Sequence, residues 1–139
     1  MTARAKITDG FLLCPATPGG GHEASGGLSH SFEYGTYRLF YDGPEVNVYG
    51  ETYVFIRGYV IPRNSDSDTY GPPDQGRLVA SLYERYGRSL TGHLKGYFLI
   101  IIFSMGRIEV FTDHAGLYRA FYYFKGKQLY LSGSVRHLI

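Results

Sequence analysis

The run Gly96-Tyr97-Phe98-Leu99-Ile100-Ile101-Ile102-Phe103 is the longest unbroken apolar stretch of the chain. Its β-branched and aromatic residues favour a strand, and no polar residue interrupts it at every second position. Continuous apolarity of this kind indicates burial on both faces, as in a sheet packed between another sheet and a helical layer. We therefore predict a central strand from Gly96 to Phe103.

A helix is predicted shortly before this strand. Apolar residues recur there at helical spacing, at Leu78, Val79, Leu82, Tyr83 and Tyr86. This spacing predicts a helix of about three turns. Gly87 is the expected end of the helix, because glycine readily adopts the backbone conformation that stops one.

Two hairpins are predicted: the central strand begins the first, and the second lies after it in the sequence. Ser104-Met105-Gly106 is expected to turn the chain into a strand from Ile108 to Thr112. Lys125-Gly126-Lys127 is expected to join strands at Phe121 to Phe124 and Leu129 to Leu131. This half of the chain therefore consists mainly of antiparallel strands.

The first half of the chain combines a loop with shorter strands. Residues 15–31 are Gly-rich and show neither the helical nor the strand period, so a surface loop is predicted there. Strands are predicted at Phe32 to Tyr41, Val46 to Tyr49 and Tyr53 to Ile61, which together would form an antiparallel meander. Asn64 to Pro73 is predicted to be a polar linker.

Composition limits the classes of function that are open to the chain. Its 139 residues are 44% hydrophobic, which suffices for one domain over residues 1–139 without metals or disulfides. A formal charge of +2 is too small to indicate nucleic-acid binding, and the five histidines show no metal-ligand spacing. Cys14 is the only cysteine, and the apolar residues around it are too few for a signal peptide or a membrane span. We expect a cytoplasmic protein that uses no metal and no cofactor.

Four blocks in the second half of the chain resemble a known domain, in the same order. They are Leu78 to Gly87, Leu94 to Phe98, Phe111 to Gly116 and Phe121 to Tyr123. The blocks resemble the class II glutamine amidotransferase domain, the amino-terminal half of asparagine synthetase-type enzymes. The turn Thr112-Asp113-His114-Ala115-Gly116 resembles even more closely that of β-lactam synthetases, relatives that have lost glutaminase activity.

This resemblance implies an amino-terminal nucleophile hydrolase fold. Such a fold is an α+β structure, a four-layer α-β-β-α sandwich in which two antiparallel sheets lie face to face. The doubly buried strand predicted from Gly96 to Phe103 agrees with that architecture. The turn residues Asp113, His114 and Gly116 are expected to close the sheet.

The resemblance also implies a catalytic nucleophile that this chain lacks. In the family, a cysteine at the mature amino terminus supplies both the thiolate and an α-amino base. Here the sequence begins with Met1 and Thr2, and Cys14 follows Phe11-Leu12-Leu13 inside a predicted strand. We interpret Cys14 as a core residue and expect no catalytic residue in the chain.

Further positions resemble a vestigial substrate pocket. Arg57 stands where the family has its oxyanion-hole asparagine, and Gly58 matches the glycine that follows. Arg38 resembles the arginine that binds the glutamine carboxylate, a task suited to a guanidinium group, although a solvent-facing strand arginine is the simpler interpretation. The family's acid for the substrate amine falls at Gln75, with Asp74 one residue away.

We interpret the chain as an amidotransferase-like domain that has lost glutaminase activity. It would act as a scaffold or accessory to an ATP-dependent amide-forming enzyme, for example one that makes natural products or modifies peptides. Its partner would be such a synthetase or a second copy of the chain, which covers apolar surface around Leu138 and Ile139. Membrane binding is not expected, and nucleic-acid binding is disfavoured.

Two other functions stay open at this point. A residual glutaminase or amidohydrolase would use Thr2, because an amino-terminal threonine can supply both the nucleophile and the base. A peptide- or nucleic-acid-binding module would use the aromatic and basic stretches Tyr34 to Tyr41 and Tyr118 to Lys127. Bases can stack on such side chains, but the same residues are ordinary strand formers.

Overall fold

The chain folds into two compact units, each built on one antiparallel sheet. The first unit combines Met1–Glu45 with Ala120–Ile139, and the second unit is Val46–Arg119. This computed structural model describes residues 10–16, 27–63, 75–134 and 138.

Nine strands and one α-helix make up most of the described residues. The strands are β1 (Phe11–Pro15), β2 (His30–Tyr34), β3 (Tyr37–Tyr41), β4 (Asn47–Tyr49), β5 (Thr52–Pro62), β6 (Leu94–Ser104), β7 (Arg107–Thr112), β8 (Phe121–Lys125) and β9 (Gln128–Ser132). Helix α1 is Gln75–Tyr86, and a 3-10 helix, Gly87–His93, follows it. Of the predicted loop and linker, residues 17–26 and 64–73 lie outside the described residues.

Strand β1 is the centre of the five-stranded sheet in the first unit, whose order is β2-β3-β1-β9-β8. It pairs with β3 and β9, so that Leu13 lies opposite Leu39 on one side and Leu131 on the other. A core cluster on this sheet consists of Leu12, Cys14 and Phe40, with Leu28, Tyr130 and Leu138 packed against it. Apolar residues thus bury most of β1.

Gly35 divides the first predicted strand, so the prediction of one strand from Phe32 to Tyr41 is wrong. The φ angle of Gly35 is 59°, a left-handed conformation that glycine adopts without strain. It allows β2 and β3 to pair through a two-residue loop between Tyr34 and Tyr37. The predicted meander is wrong as well, because β3 pairs with β1 and β2 while β4 and β5 belong to the other sheet.

Strand β6 lies inside the four-stranded sheet of the second unit, whose order is β4-β5-β6-β7. It pairs with β5 from Phe103 opposite Tyr53 to Leu94 opposite Pro62. Every residue of β6 from Phe98 to Ser104 is buried, which confirms the prediction of two covered faces for this part of the strand. At the start of the predicted range, Tyr97 is 42% exposed. Both predicted hairpins are also confirmed, because β6 pairs with β7 and β8 pairs with β9.

Helix α1 packs one face against the four-stranded sheet. Leu78 and Val79 are buried in a cluster with Val54 of β5 and Ile100 of β6. The helix ends where Gly87 adopts a φ of 58°, a conformation that favours glycine at a helix C-terminus. The predicted helix and its end are therefore confirmed. None of the helices among the described residues combines the length and the apolarity needed to cross a membrane.

The predicted four-layer α-β-β-α sandwich is wrong. The described residues hold a single α-helix, and antiparallel strands in two sheets make up most of the rest. Helical spacing occurs only before β6 in this part of the chain, whereas a helical layer on each sheet requires several long amphipathic segments. At the end of the sequence, where apolar surface was expected around Leu138 and Ile139, only Leu138 is described beyond residue 134.

Candidate functional site

Gly58 and Gly96 lie where the paired backbones of β5 and β6 approach each other unusually closely. Their φ angles are 88° and 125°, in the left-handed range that other residues rarely adopt. A Cβ atom on Gly58 would collide with the carbonyl oxygen of Tyr97, and one on Gly96 would collide with that of Tyr59. The glycine that resembles part of an oxyanion hole is therefore required by the backbone of the sheet itself.

Arg57, which stands in place of the oxyanion-hole asparagine, is only 2% exposed. Its Nη1 donates a hydrogen bond to the carbonyl oxygen of Ile56 at 2.7 Å. The central carbon of its guanidinium lies 4.1 Å from the centre of the Phe55 ring, within the range of a cation–π interaction. These contacts hold the guanidinium along its own strand, which differs from the short, preorganised amide donor of an oxyanion hole.

Gln75, which stands in place of the amine-binding acid, connects the start of α1 to β5. Its Oε1 accepts a hydrogen bond from the backbone N–H of Val60 at 2.5 Å. This bond connects Gln75 to β5 two residues after Gly58. Arg57 pairs with Leu99, and neither residue belongs to the core cluster that β5 and β6 form with α1. Asp74, the alternative position for the acid, lies outside the described residues.

Arg38, which resembles the carboxylate-binding arginine, belongs to the first unit. It lies on β3 opposite Cys14 of β1 and opposite Glu33 of β2. Its Nη2 forms an ion pair with Glu33 Oε2, and its guanidinium lies 5.8 Å from the centre of the Phe40 ring. The Nε atom is buried and has no acceptor among the described residues. The carboxylate that Arg38 binds in this structure is therefore that of Glu33.

Cys14 is a core residue in this structure, in agreement with the interpretation of the sequence. It is 4% exposed and packs in the cluster with Leu12 and Phe40. Burial raises the pKa of its thiol, and the positive charge of Arg38 offsets only part of this effect. A buried thiol with a raised pKa is a poor nucleophile. Thr2, the other candidate nucleophile, lies outside the described residues.

Asp113 connects the turn after β7 to β6. Its Oδ1 accepts hydrogen bonds from the backbone N–H groups of Phe98 and Tyr118, at 3.0 and 3.2 Å. Its Oδ2 accepts one from the N–H of Leu117 at 2.8 Å. The sequence blocks that end at Phe98 and Gly116 therefore meet through this one buried carboxylate.

The electrostatics of this turn favour an ionised Asp113. Burial opposes ionisation, but the hydrogen bonds from backbone N–H groups outweigh it and lower the pKa of the carboxyl below its ordinary 3.8. His114 and Gly116 are exposed, and the Gly116 N–H donates to the Asp113 carbonyl oxygen at 3.0 Å. Within the described ranges, no three His, Cys, Asp or Glu side chains gather into a group that could hold a metal ion.

Comparison with known proteins assigns no family to this chain. The sequence matches no protein-family model, and no curated protein matches it. The resemblance to class II glutamine amidotransferases therefore depends on the order of the sequence blocks alone.

Interpretation of the sequence missed a cleft in the second unit. The cleft has a volume of about 650 Å³ and lies between α1, the turn from β4 to β5 and the turn from β6 to β7. A signal for it was present in the helix, where Arg77, Ser81 and Glu84 recur on the face opposite the buried Leu78 and Val79. Such a face is ordinarily solvated, so the signal alone did not predict a cleft.

The exposed edge formed by β8 is a second feature that the sequence did not reveal. It is the edge of the five-stranded sheet, and no described strand pairs with its outer side. Tyr122 is 66% exposed and Phe124 is 61% exposed. The run Phe121-Tyr122-Tyr123-Phe124 lacks the alternation of a strand with one solvated face, but burial on both faces explains such a run equally well.

Proposed function

We propose that this chain is a noncatalytic domain related to the class II glutamine amidotransferases. It acts in the cytoplasm as a scaffold or accessory to an ATP-dependent amide-forming enzyme. Three observations support the loss of glutaminase chemistry: Cys14 is buried, Arg57 is held along its own strand, and Gln75 binds the backbone of β5. A glutaminase needs an activated nucleophile and a preorganised oxyanion hole, and neither is supported by these residues.

The exposed edge strand β8 is the observation that carries the proposal. Tyr122 and Phe124 project on the same face, with their ring centres 6.1 Å apart, and both are mostly exposed. Native edge strands are usually protected by charges, bulges or proline, because unpaired backbone groups attract other strands. In β8 the only charged residue is Lys125, at the end of the strand.

An edge of this kind suits a partner that adds a strand to the sheet. In that binding mode, backbone hydrogen bonds supply affinity and the alternate side chains supply specificity. The aromatic side chains of β8 are also the type that contributes most to protein interfaces. The partner is the amide-forming enzyme or a second copy of this chain, and a specific complex would bury at least about 1,000 Å² in total.

The end of the chain contributes less to this surface than its sequence suggests. Leu138 is partly buried against the cluster of Leu12, Cys14 and Phe40 in its own unit, which reduces the apolar surface that it can offer to a partner. Ile139 lies outside the described residues. We therefore assign the partner-binding surface to β8.

We predict that the double variant Tyr122→Lys/Phe124→Lys loses the partner. The chain, tagged and expressed in its native host, should retain an enzyme that forms amides in an ATP-dependent assay, or should form a dimer by light scattering. The two lysines place charge in the aromatic surface and should lower retention or dimerisation at least about tenfold, a change that corresponds to about 1.4 kcal/mol of binding free energy.

The matched control is Val48→Lys. Val48 is also apolar, 59% exposed and on an edge strand, but in the other sheet, and its substitution should leave binding unchanged. A chain that stays monomeric and retains no amide-forming enzyme would contradict the proposal. In that case the peptide- or nucleic-acid-binding function would become the preferred interpretation.

A further inference from the structure

The cleft in the second unit has the size of a small-molecule site. Its volume of about 650 Å³ lies within the range of roughly 300 to 1,000 Å³ that is typical of ligand pockets. Pairing of β5 with β6 places Thr52 next to Ser104, so the turn before β5 and the turn after β6 lie at the same end of the sheet. Both turns face α1 across the cleft.

One wall of the cleft is a polar face of α1. Arg77, Ala80, Ser81 and Glu84 line it, at the spacing of three or four residues that puts side chains on one side of a helix. Arg77 makes no hydrogen bond or ion pair within the described residues. Arg77 and Glu84 are seven residues apart, or roughly 10 Å along the helix axis, so Glu84 leaves the charge of Arg77 largely uncompensated.

Glu109, an acidic group that contacts a lining residue of the cleft, is already paired. Glu109 accepts a hydrogen bond from the hydroxyl of Tyr83, which lines the cleft, and forms an ion pair with Arg88 at 2.7 Å. Arg107, another lining residue, adds a positive charge beside Tyr83 and Glu109. The lining contains two arginines and one carboxylate. Among the described residues, the lining arginine without a partner is Arg77.

Met105 forms an apolar part of the cleft in a strained backbone conformation. Its φ is 53°, which makes it the one residue other than glycine with a positive φ in the described part of the chain. It is also 83% exposed, although it lines the cleft. Glycine or asparagine would form this turn with less strain, so Met105 lowers the stability of the turn. A strained residue beside a cleft points to a role in binding.

We propose that this cleft binds a small organic anion. A carboxylate or phosphate group of the ligand pairs with Arg77, and its carbon skeleton lies against Met105 and Ala80. Arginine suits both groups, because its planar guanidinium can donate two parallel hydrogen bonds to either. The cleft shares no residue with β8 or with the vestigial pocket, so this proposal does not depend on the proposed partner.

The test uses three probes that share a phenyl group. 3-Phenylpropionate and phenyl phosphate differ in their anionic group, and 3-phenylpropanamide has nearly the shape of the first without its charge. We expect saturable binding of at least one anion to the whole chain at low ionic strength, measured by calorimetry, and at least about tenfold weaker binding of the amide. The preferred anion identifies the ligand as a carboxylic acid or a phosphate ester.

Two variants locate the site. Arg77→Gln should weaken binding of the anion about tenfold, whereas Arg85→Gln, which removes an exposed arginine elsewhere on α1, should change it less than about twofold. Met105→Gly should weaken binding severalfold while it raises the melting temperature, a combination that damage to the fold does not produce. Failure of both anions to saturate, or equal losses in the Arg77 and Arg85 variants, would overturn the proposal.

Discussion

Replacement of Gly58 by alanine is expected to destabilise the protein by about 2 to 5 kcal/mol, because two unfavourable effects add. The alanine has to adopt a φ of 88°, and its Cβ collides with the carbonyl oxygen of Tyr97. That oxygen belongs to the backbone of β6, which is buried from Phe98 onward and has little room to move. Urea denaturation of the purified variant would measure the loss.

Gly35→Ala is the control for this prediction. Gly35 also has a left-handed φ, of 59°, but nothing lies within 4 Å of the added Cβ. Its substitution should therefore cost only the backbone strain, about 1 to 2 kcal/mol. If the two variants lose similar stability, the close approach of the β5 and β6 backbones at Gly58 does not exist as described.

Substitution of Asp113 by asparagine is expected to cost about 3 kcal/mol at neutral pH. An asparagine has a single carbonyl oxygen, whereas the three N–H groups of Phe98, Leu117 and Tyr118 are distributed over both oxygens of the carboxylate. At least one donor loses its acceptor, and the remaining bonds lose the contribution of the charge. Glu51→Gln, at an exposed turn position, is the control and should be nearly neutral.

The pH dependence of this loss follows from the lowered pKa of Asp113. The pKa is lower in the folded state than in the unfolded chain, so the stabilisation is fully present above the ordinary value of 3.8. It declines as the pH falls below that value and through the folded pKa. The difference in unfolding free energy between wild type and Asp113→Asn should therefore shrink below about pH 4. A difference that stays constant from pH 7 to pH 3 would contradict the assigned role of this carboxylate.

Local signals in the sequence were sufficient to predict the main elements of the second unit. The unbroken apolar run predicted β6, and the helical spacing from Leu78 to Tyr86 predicted α1 with its end at Gly87. Both patterns arise from contacts between near neighbours and one continuous buried surface. The burial of Cys14 was also predictable, because Phe11-Leu12-Leu13 precedes it in one apolar strand.

Pairing between distant segments was not predictable. Strand β1 pairs with β9, and Leu12 lies opposite Ser132, but no local pattern specifies which strands share a sheet. The resemblance to a known family supplied an architecture instead, but the described residues hold one α-helix rather than the two helical layers of that architecture. Gly35 was overlooked for a different reason, since aromatic residues on both sides of it favour a strand as strongly as they favour a hairpin.

The sequence identified positions of the candidate site but did not predict what the residues there do in the structure. Gly58 was identified by resemblance, whereas its collision with Tyr97 is visible only once β5 and β6 are paired. Gln75 was noted as a missing acid, and its bond to Val60 depends on how α1 packs. The cleft combines residues as far apart in sequence as Tyr49 and Arg107, so no local sequence motif predicts it.

The absence of glutaminase activity is the central claim, and glutamine hydrolysis tests it most directly. Ammonia release should be measured at high protein concentration, with Thr2→Ala as the control because Thr2 is the one alternative nucleophile near the start of the sequence. We predict the same background rate for both proteins. A chain without an activated nucleophile and without an oxyanion hole lacks both of these contributions to catalysis. Ammonia release by the wild type that exceeds this control would contradict the proposed noncatalytic function and establish a residual hydrolase.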